Sequence, residues 1–156
     1  MAISALQKAR AAYQPKLPKA FKGGVVLKEG KATQSVADQD EIKKLFPNTY
    51  GMPIVTFEEA ASKLSMGDFN VGVILSGGQA PGGHNVISGL FDGIKSMNKN
   101  AKLYGFLGGP SGLIDHKYIE LTSDIIDAYR NTGGFDIIGS GRTKLEETSQ
   151  FDSGIE

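Results

Sequence analysis

The chain has 156 residues, 40% of them hydrophobic and 22% charged, with a formal net charge of +0; this is a globular composition, neither disordered nor suited to binding a polyanion. It contains no cysteine, which excludes disulfides, thiolate metal sites and a cysteine nucleophile and points to the cytoplasm. The N-terminus MAISALQKARAAYQPK lacks the apolar core of a signal peptide and no run reaches transmembrane length, so neither a membrane nor nucleic acid is an expected partner.

In chain order, Ile3 to Tyr13 reads as a short helix with Ser4 as its cap, ended by Pro15 and Pro18. GVVLKEGKAT (24–33) suggests a small hairpin turning at Glu29–Gly30. Ile42, Leu45 and Phe46 give 38–46 helical spacing, which Pro47 stops. Pro53 to Phe57 is expected as a strand and Glu58 to Leu64 as a helix. At Asp68 the texture changes. Phe69 to Leu75 reads as a buried strand, and Val86, Ile87, Leu90, Phe91, Ile94 and Met97 share one helical face over 85–97. Lys102 to Leu107 is a second apolar strand. Thr122-Ser123-Asp124 starts a further helix, closed by Gly133–Gly134, and Phe135 to Ile138 is a third strand. Strand, glycine loop and helix in repetition argue an α/β fold with a parallel sheet. We therefore expect an N-terminal extension of short helices and a hairpin over 1–67, and the first part of an α/β domain over 68–156.

The 21 glycines cluster at Gly77–Gly83, Gly105–Gly112 and Gly133–Gly141, each time after a predicted strand, where open α/β sheets bind ligands. A strand–glycine–helix junction gathers backbone N–H groups beside a positive helix end, and glycine lets an oxygen approach without a Cβ in the way. The loop SGGQAPGGHN (76–85) is suited to a phosphate; its composition alone is equally that of a plain tight turn. Gly78 and Gly83 mimic the spacing of the P-loop, but His84–Asn85 replace its Lys and Ser/Thr, and no G-x-G-x-x-G is present. Arg142, in GSGR after the third strand, could reach the same crevice and hold a phosphate bidentately, or could be a solvated loop arginine. His84 reads as a hydrogen-bond partner at the start of the helix rather than a catalyst, and His116 as a surface residue. Asp115 and Asp136 read as turn or strand-edge residues. Two histidines without an i, i+4 partner make no metal site.

VGVILSGGQAPGGHNVISGLFDGI resembles the first strand, phosphate loop and first helix of the phosphofructokinase family. GGQAPGGHN is similar to its pyrophosphate-dependent branch, of the long type; ATP-dependent relatives usually carry aspartate at Gln79. GFLGGPSGL (105–113) and NTGGFDIIGSGRTKLEE (131–147) resemble the next two family segments in order and spacing. The resemblance implies a Rossmann-like parallel sheet flanked by helices, incomplete in this chain. It implies Mg²⁺-dependent phosphoryl transfer from pyrophosphate to the 1-hydroxyl of fructose 6-phosphate in glycolysis, with a homo-oligomeric enzyme and the rest of that enzyme as partners. It assigns Gly78 and Arg142 to contacts with the phosphoryl donor, with Gly77 and Gln79 in the same donor-binding set. The loop GPSG, with Pro110 and Ser111, lacks the aromatic residue that accompanies adenine in ATP-using relatives, which fits a donor without a base. The family's aspartate motifs, including the catalytic base and the Mg²⁺ ligands, are expected outside this chain. The chain is thus expected to be an N-terminal portion, inactive alone and supplying half a donor site. The alternatives are a non-catalytic regulatory or phosphate-binding module on the same fold, and an ATP-dependent kinase.

Overall fold

The computed structural model of the chain describes residues 3–62 and 66–155. Contacts divide it into two compact units, Met1–Gln14 with Ser65–Glu156, and Pro15–Leu64.

The unit Pro15–Leu64 holds a single 3₁₀ turn (Lys19–Phe21), strand β1 (Gly24–Ala32), helix α2 (Gln39–Leu45) and strand β2 (Pro53–Ala60). The hairpin expected within 24–33 is instead one strand, β1, paired antiparallel with β2 from Gly24↔Ala60 to Ala32↔Pro53. Glu29–Gly30 does not turn the chain, and the register shifts between Glu29 and Ala32. Gly30 stands inside that irregularity, the usual place for glycine in a strand. The helix expected from Glu58 is also corrected: β2 runs on to Ala60, and the end of the expected segment lies outside the described residues. Here a partner strand more than twenty residues away overrode local spacing.

In the other unit, α1 (Ala5–Ala12) opens on a capping box. Ser4 Oγ accepts from Gln7 N–H at 3.2 Å and Gln7 Oε1 accepts from Ser4 N–H at 2.9 Å. Three strands, β3 (Asn70–Val73), β4 (Lys102–Phe106) and β5 (Tyr118–Glu120), form a sheet in the order β3-β4-β5. β3 and β4 are parallel, as the α/β reading requires, and β5 adds an antiparallel edge. The expected third parallel strand, 135–138, does not form a ladder. Asn131, Gly133 and Gly139 all take positive φ, which keeps the segment from running flat beside β3. Ile138 O accepts from Gly108 N–H at 2.8 Å, and just beyond the segment an isolated parallel bridge joins Ser76 and Gly141.

Helix α3 (Gly83–Met97) connects β3 to β4. It starts two residues earlier than its apolar spacing indicates, so His84 and Asn85 lie in its first turn. Ile87, Phe91 and Ile94 are buried against Leu103, Leu121, Ile126, Ile137 and Ile138, while Val86 and Met97 stay exposed. Ile87, Leu103 and Ile126 are wholly removed from solvent, each burial contributing about 1.5–3 kcal/mol. Helix α4 (Pro110–Ile114) is built on Pro110 in its first turn, and α6 (Thr148–Ile155) follows the third glycine loop. Neither is signalled by apolar spacing.

Helix α5 (Ser123–Tyr129) ends at Asn131, in the left-handed conformation at φ 57°, rather than at Gly133–Gly134. The Asn131 amide donates to the carbonyls of Arg10 (2.7 Å) and Tyr13 (2.9 Å), satisfying the end of α1. Arg130 ties α3 to α5. Its Nη1 and Nη2 donate to Asp92 at 2.7 and 3.0 Å and its Nε to Asp127 at 3.0 Å. The hydrogen bond to Asp92 raises its pKa above the ordinary arginine range, against the opposing effect of burial.

Candidate phosphate site

The first and third glycine loops are joined backbone to backbone. Gly77 N–H donates to Gly141 O (2.8 Å), Gly82 N–H to Gly133 O (2.7 Å) and His84 N–H to Gly134 O (2.9 Å). Gly77 and Gly82 hold φ of 105° and 100°, open only to residues without a Cβ at little cost. Three donors that could have faced a ligand are therefore spent inside the protein. Among the described residues, the next N–H groups along the loop, those of Gly78, Gln79 and Ala80, have no hydrogen-bond acceptor. They are consecutive, exposed and stand just ahead of α3, whose N-terminal end carries positive potential.

Arg142 reaches the same point. A Cβ placed on Gly78 would stand 2.5 Å from Arg142 Nη2, so the guanidinium lies over Gly78 in the space a side chain would fill. Arg142 is exposed, and among the described residues it has neither an ion-pair nor a hydrogen-bond partner. A guanidinium without an ion pair among the described residues, standing beside Gly78 at the start of a run of open N–H groups, could receive an anion, and its fork geometry suits phosphate oxygens. The structure thus brings together Gly77, Gly78 and Arg142. Gln79 lies in the loop with its side chain exposed and without a hydrogen-bond partner among the described residues.

The second glycine loop supports this arrangement from behind. Gly108 N–H donates to Ile138 O at 2.8 Å. A Cβ on Gly109 would collide with Gly141 N, and one on Gly141 with Gly108 O. Pro110 is buried, and the Ser111 hydroxyl donates locally to Gly108 O at 3.2 Å. The loop is filled by its own backbone.

His84 is 3% exposed. Its Nδ1 meets Thr132 Oγ1 at 2.6 Å, and its Nε2 accepts from Asp136 N–H (2.9 Å) and Ile137 N–H (3.1 Å). Tyr129 packs against the ring in a T-shaped contact at 4.8 Å. His116 is exposed and touches Ser153 Oγ at 3.2 Å, and Asp115 pairs with Lys117. The residues that hold His84, Tyr129 and Thr132, escaped the sequence reading: they lie about fifty residues away and carry no motif. Gly134 was read there only as a helix stop. A Cβ on it would lie 2.5 Å from His84 Cε1, so it is the space the histidine ring occupies. Among the described residues no three His, Asp or Glu side chains stand together in a way that could hold a metal ion. No described helix is long and apolar enough to cross a membrane.

No protein-family model matches the chain. Curated relatives do. A Porphyromonas gingivalis protein named pyrophosphate–fructose 6-phosphate 1-phosphotransferase is 58% identical over 156 residues, covering 100% of this chain and 28% of that protein. A Treponema pallidum protein of the same name is 49% identical over 163 residues, covering 97% and 28%. The chain therefore spans about 28% of the length of these relatives. Among solved structures, Pichia pastoris phosphofructokinase in the T-state is 22% identical with a TM-score of 0.46, covering 74% of this chain and 15% of that one.

Proposed function

We propose that this chain, similar over its whole length to a stretch of pyrophosphate–fructose 6-phosphate 1-phosphotransferases, forms the phosphoryl-donor half of such an enzyme. The observation that carries the reading is the Arg142 guanidinium, unpaired among the described residues, beside Gly78 in a loop whose N–H groups at Gly78, Gln79 and Ala80 have no acceptor there. In the reaction the bridging P–O bond of pyrophosphate breaks, the terminal phosphoryl bonds to the 1-hydroxyl oxygen of fructose 6-phosphate, the hydroxyl proton leaves and phosphate departs. Such transfers are accelerated mainly by positioning and charge neutralisation. Arg142 and the loop N–H groups do both for the donor. They hold its oxygens at fixed points and balance the charge that builds on the departing phosphate. Gly78 contributes by having no side chain where those oxygens and the guanidinium meet. The second loop, with Pro110 and Ser111, carries no aromatic residue to stack on a base, which suits pyrophosphate rather than a nucleotide.

Among the described residues no cluster of three acidic or histidine side chains is present to form a Mg²⁺ site by itself. Its ligands, the sugar site and the base for the hydroxyl proton belong to parts of the enzyme outside this chain, and the mechanism here rests on Arg142 and the loop alone. The test is to express the longest reading frame carrying this sequence and to assay fructose 1,6-bisphosphate formation with pyrophosphate and with ATP. Pyrophosphate-dependent turnover supports the proposal, and this chain alone should give none. Turnover with ATP only would overturn the donor assignment. Pyrophosphate binding without turnover by the longest product would instead favour a non-catalytic phosphate-binding module.

A further inference from the structure

We propose that His84 is the positioning residue of the phosphate loop: its neutral imidazole holds the segment 132–142, and with it Arg142, against the start of α3. This rests on the reading of the loop as a phosphate site. The hydrogen-bond directions follow from the partners. Thr132 Oγ1 gives its proton to Tyr129 O at 2.6 Å, so at 2.6 Å from His84 it can only accept, and Nδ1 must carry the ring proton. Nε2 then has a lone pair, which takes the N–H groups of Asp136 and Ile137.

One contact pulls the other way. Asp136 Oδ1 also lies 2.9 Å from Nε2, where a protonated ring would donate to it. The two backbone donors are fixed by the chain, whereas the Asp136 side chain is 78% exposed and can turn to water. The backbone donors therefore decide the resting state. Besides Asp136, the group facing the ring is Tyr129, from α5. A proton on Nε2 would trade two backbone bonds for one to Asp136 and would push Asp136–Ile137 away.

That displacement reaches the site. The segment is fastened by the His84 ring at 132, 136 and 137, by backbone bonds at Gly133, Gly134, Ile138 and Gly141, and by the Ser76–Gly141 bridge, and Arg142 follows at once. No water can replace the ring, because it is buried. His84 forms none of the open loop N–H groups, so its effect passes through Arg142.

The longest product of the reading frame is compared as wild type, His84→Gln and His84→Phe. Pyrophosphate affinity is measured by calorimetry, and amide hydrogen exchange is read over 135–141. Gln can place Oε1 where Nε2 stood and accept both backbone bonds, but cannot take a proton. His84→Phe should weaken pyrophosphate binding about tenfold and speed exchange, while His84→Gln keeps both near wild type. If the Phe variant fails to fold, His84→Asn, too short to accept from Asp136 and Ile137, takes its place. Wild-type affinity and exchange in the Phe or Asn variant, or a Gln variant as impaired as Phe in both, would overturn the role of His84. A wild type that binds no pyrophosphate would overturn the proposed function instead, and the exchange comparison would still decide the role of His84.

Discussion

Replacing Gly78 by alanine separates the site from the fold. The new Cβ would stand 2.5 Å from Arg142 Nη2 and 3.5 Å from its Cζ. Carbon and nitrogen settle about 3.5 Å apart, so Nη2 must retreat by roughly 1 Å. The retreat costs the fold little, because Arg142 is exposed and has no partner to lose among the described residues. Gly78 is not among the positive-φ glycines, so alanine brings no backbone strain and narrows the unfolded ensemble, a gain of about 0.4–1 kcal/mol. The melting temperature should therefore hold or rise by a few degrees, at about 2–4 °C per kcal/mol for a chain of this size. Binding should suffer. A guanidinium moved off its phosphate oxygen forfeits a charge-assisted hydrogen bond, about 1.5–3 kcal/mol, or about 10- to 140-fold in affinity. Calorimetry with pyrophosphate and a thermal melt on the same preparation read both. Unchanged affinity would remove Gly78 and Arg142 from the donor site; a melting temperature lowered by more than about 4 °C would show that the guanidinium is not free to move.

Arg142→Ala should weaken pyrophosphate binding by the same about 1.5–3 kcal/mol and leave the melting temperature unchanged; an effect within error would make it a solvated loop arginine. Gly109→Ala should cost about 1–3 kcal/mol or more in urea denaturation, since φ is 82° and the Cβ strikes Gly141 backbone that cannot yield; wild-type stability would refute the backbone buttress. Arg130→Ala should cost about 1–2 kcal/mol, discounted for the exposure of Asp92 and Asp127. Because the folded pKa of Arg130 is raised, its contribution is present below the ordinary arginine range and lost only as pH rises beyond it. The Arg130→Ala deficit should then be undiminished at mildly alkaline pH, which denaturation curves at neutral and alkaline pH would check.

What was legible in the sequence was what is periodic or local. Ile87, Phe91 and Ile94 repeat at the helical interval, and α3 buries them. Ser4 stands where a helix cap belongs, and its side chain caps α1. The meeting of three glycine clusters could be read because each follows a strand or an extended run ending at the same side of the sheet. Pairing at a distance was not legible. Nothing in GVVLKEGKAT names Pro53–Ala60 as its partner, and YIE is too short to declare the antiparallel strand β5. The segment FDII has strand composition, yet positive φ at Gly133 and Gly139 on either side denies it a ladder. Within the candidate site, Gly78 and Arg142 were assigned by the family resemblance, and the structure sets the Arg142 guanidinium beside Gly78. That Gly77, Gly82 and His84 spend their N–H groups on the third loop was not foreseeable, because the carbonyls that take them lie about fifty or more residues on.

Among the described residues no carboxylate pairs with the Arg142 guanidinium. In the proposed donor site, sulfate, inorganic phosphate or another small dianion from solution would exchange with pyrophosphate over it. Affinity measured in a phosphate or sulfate buffer will be the outcome of that exchange, weaker in step with the buffer's concentration. The same exchange gives the proposed reaction a brake, because the phosphate it releases competes for the place the next pyrophosphate must take.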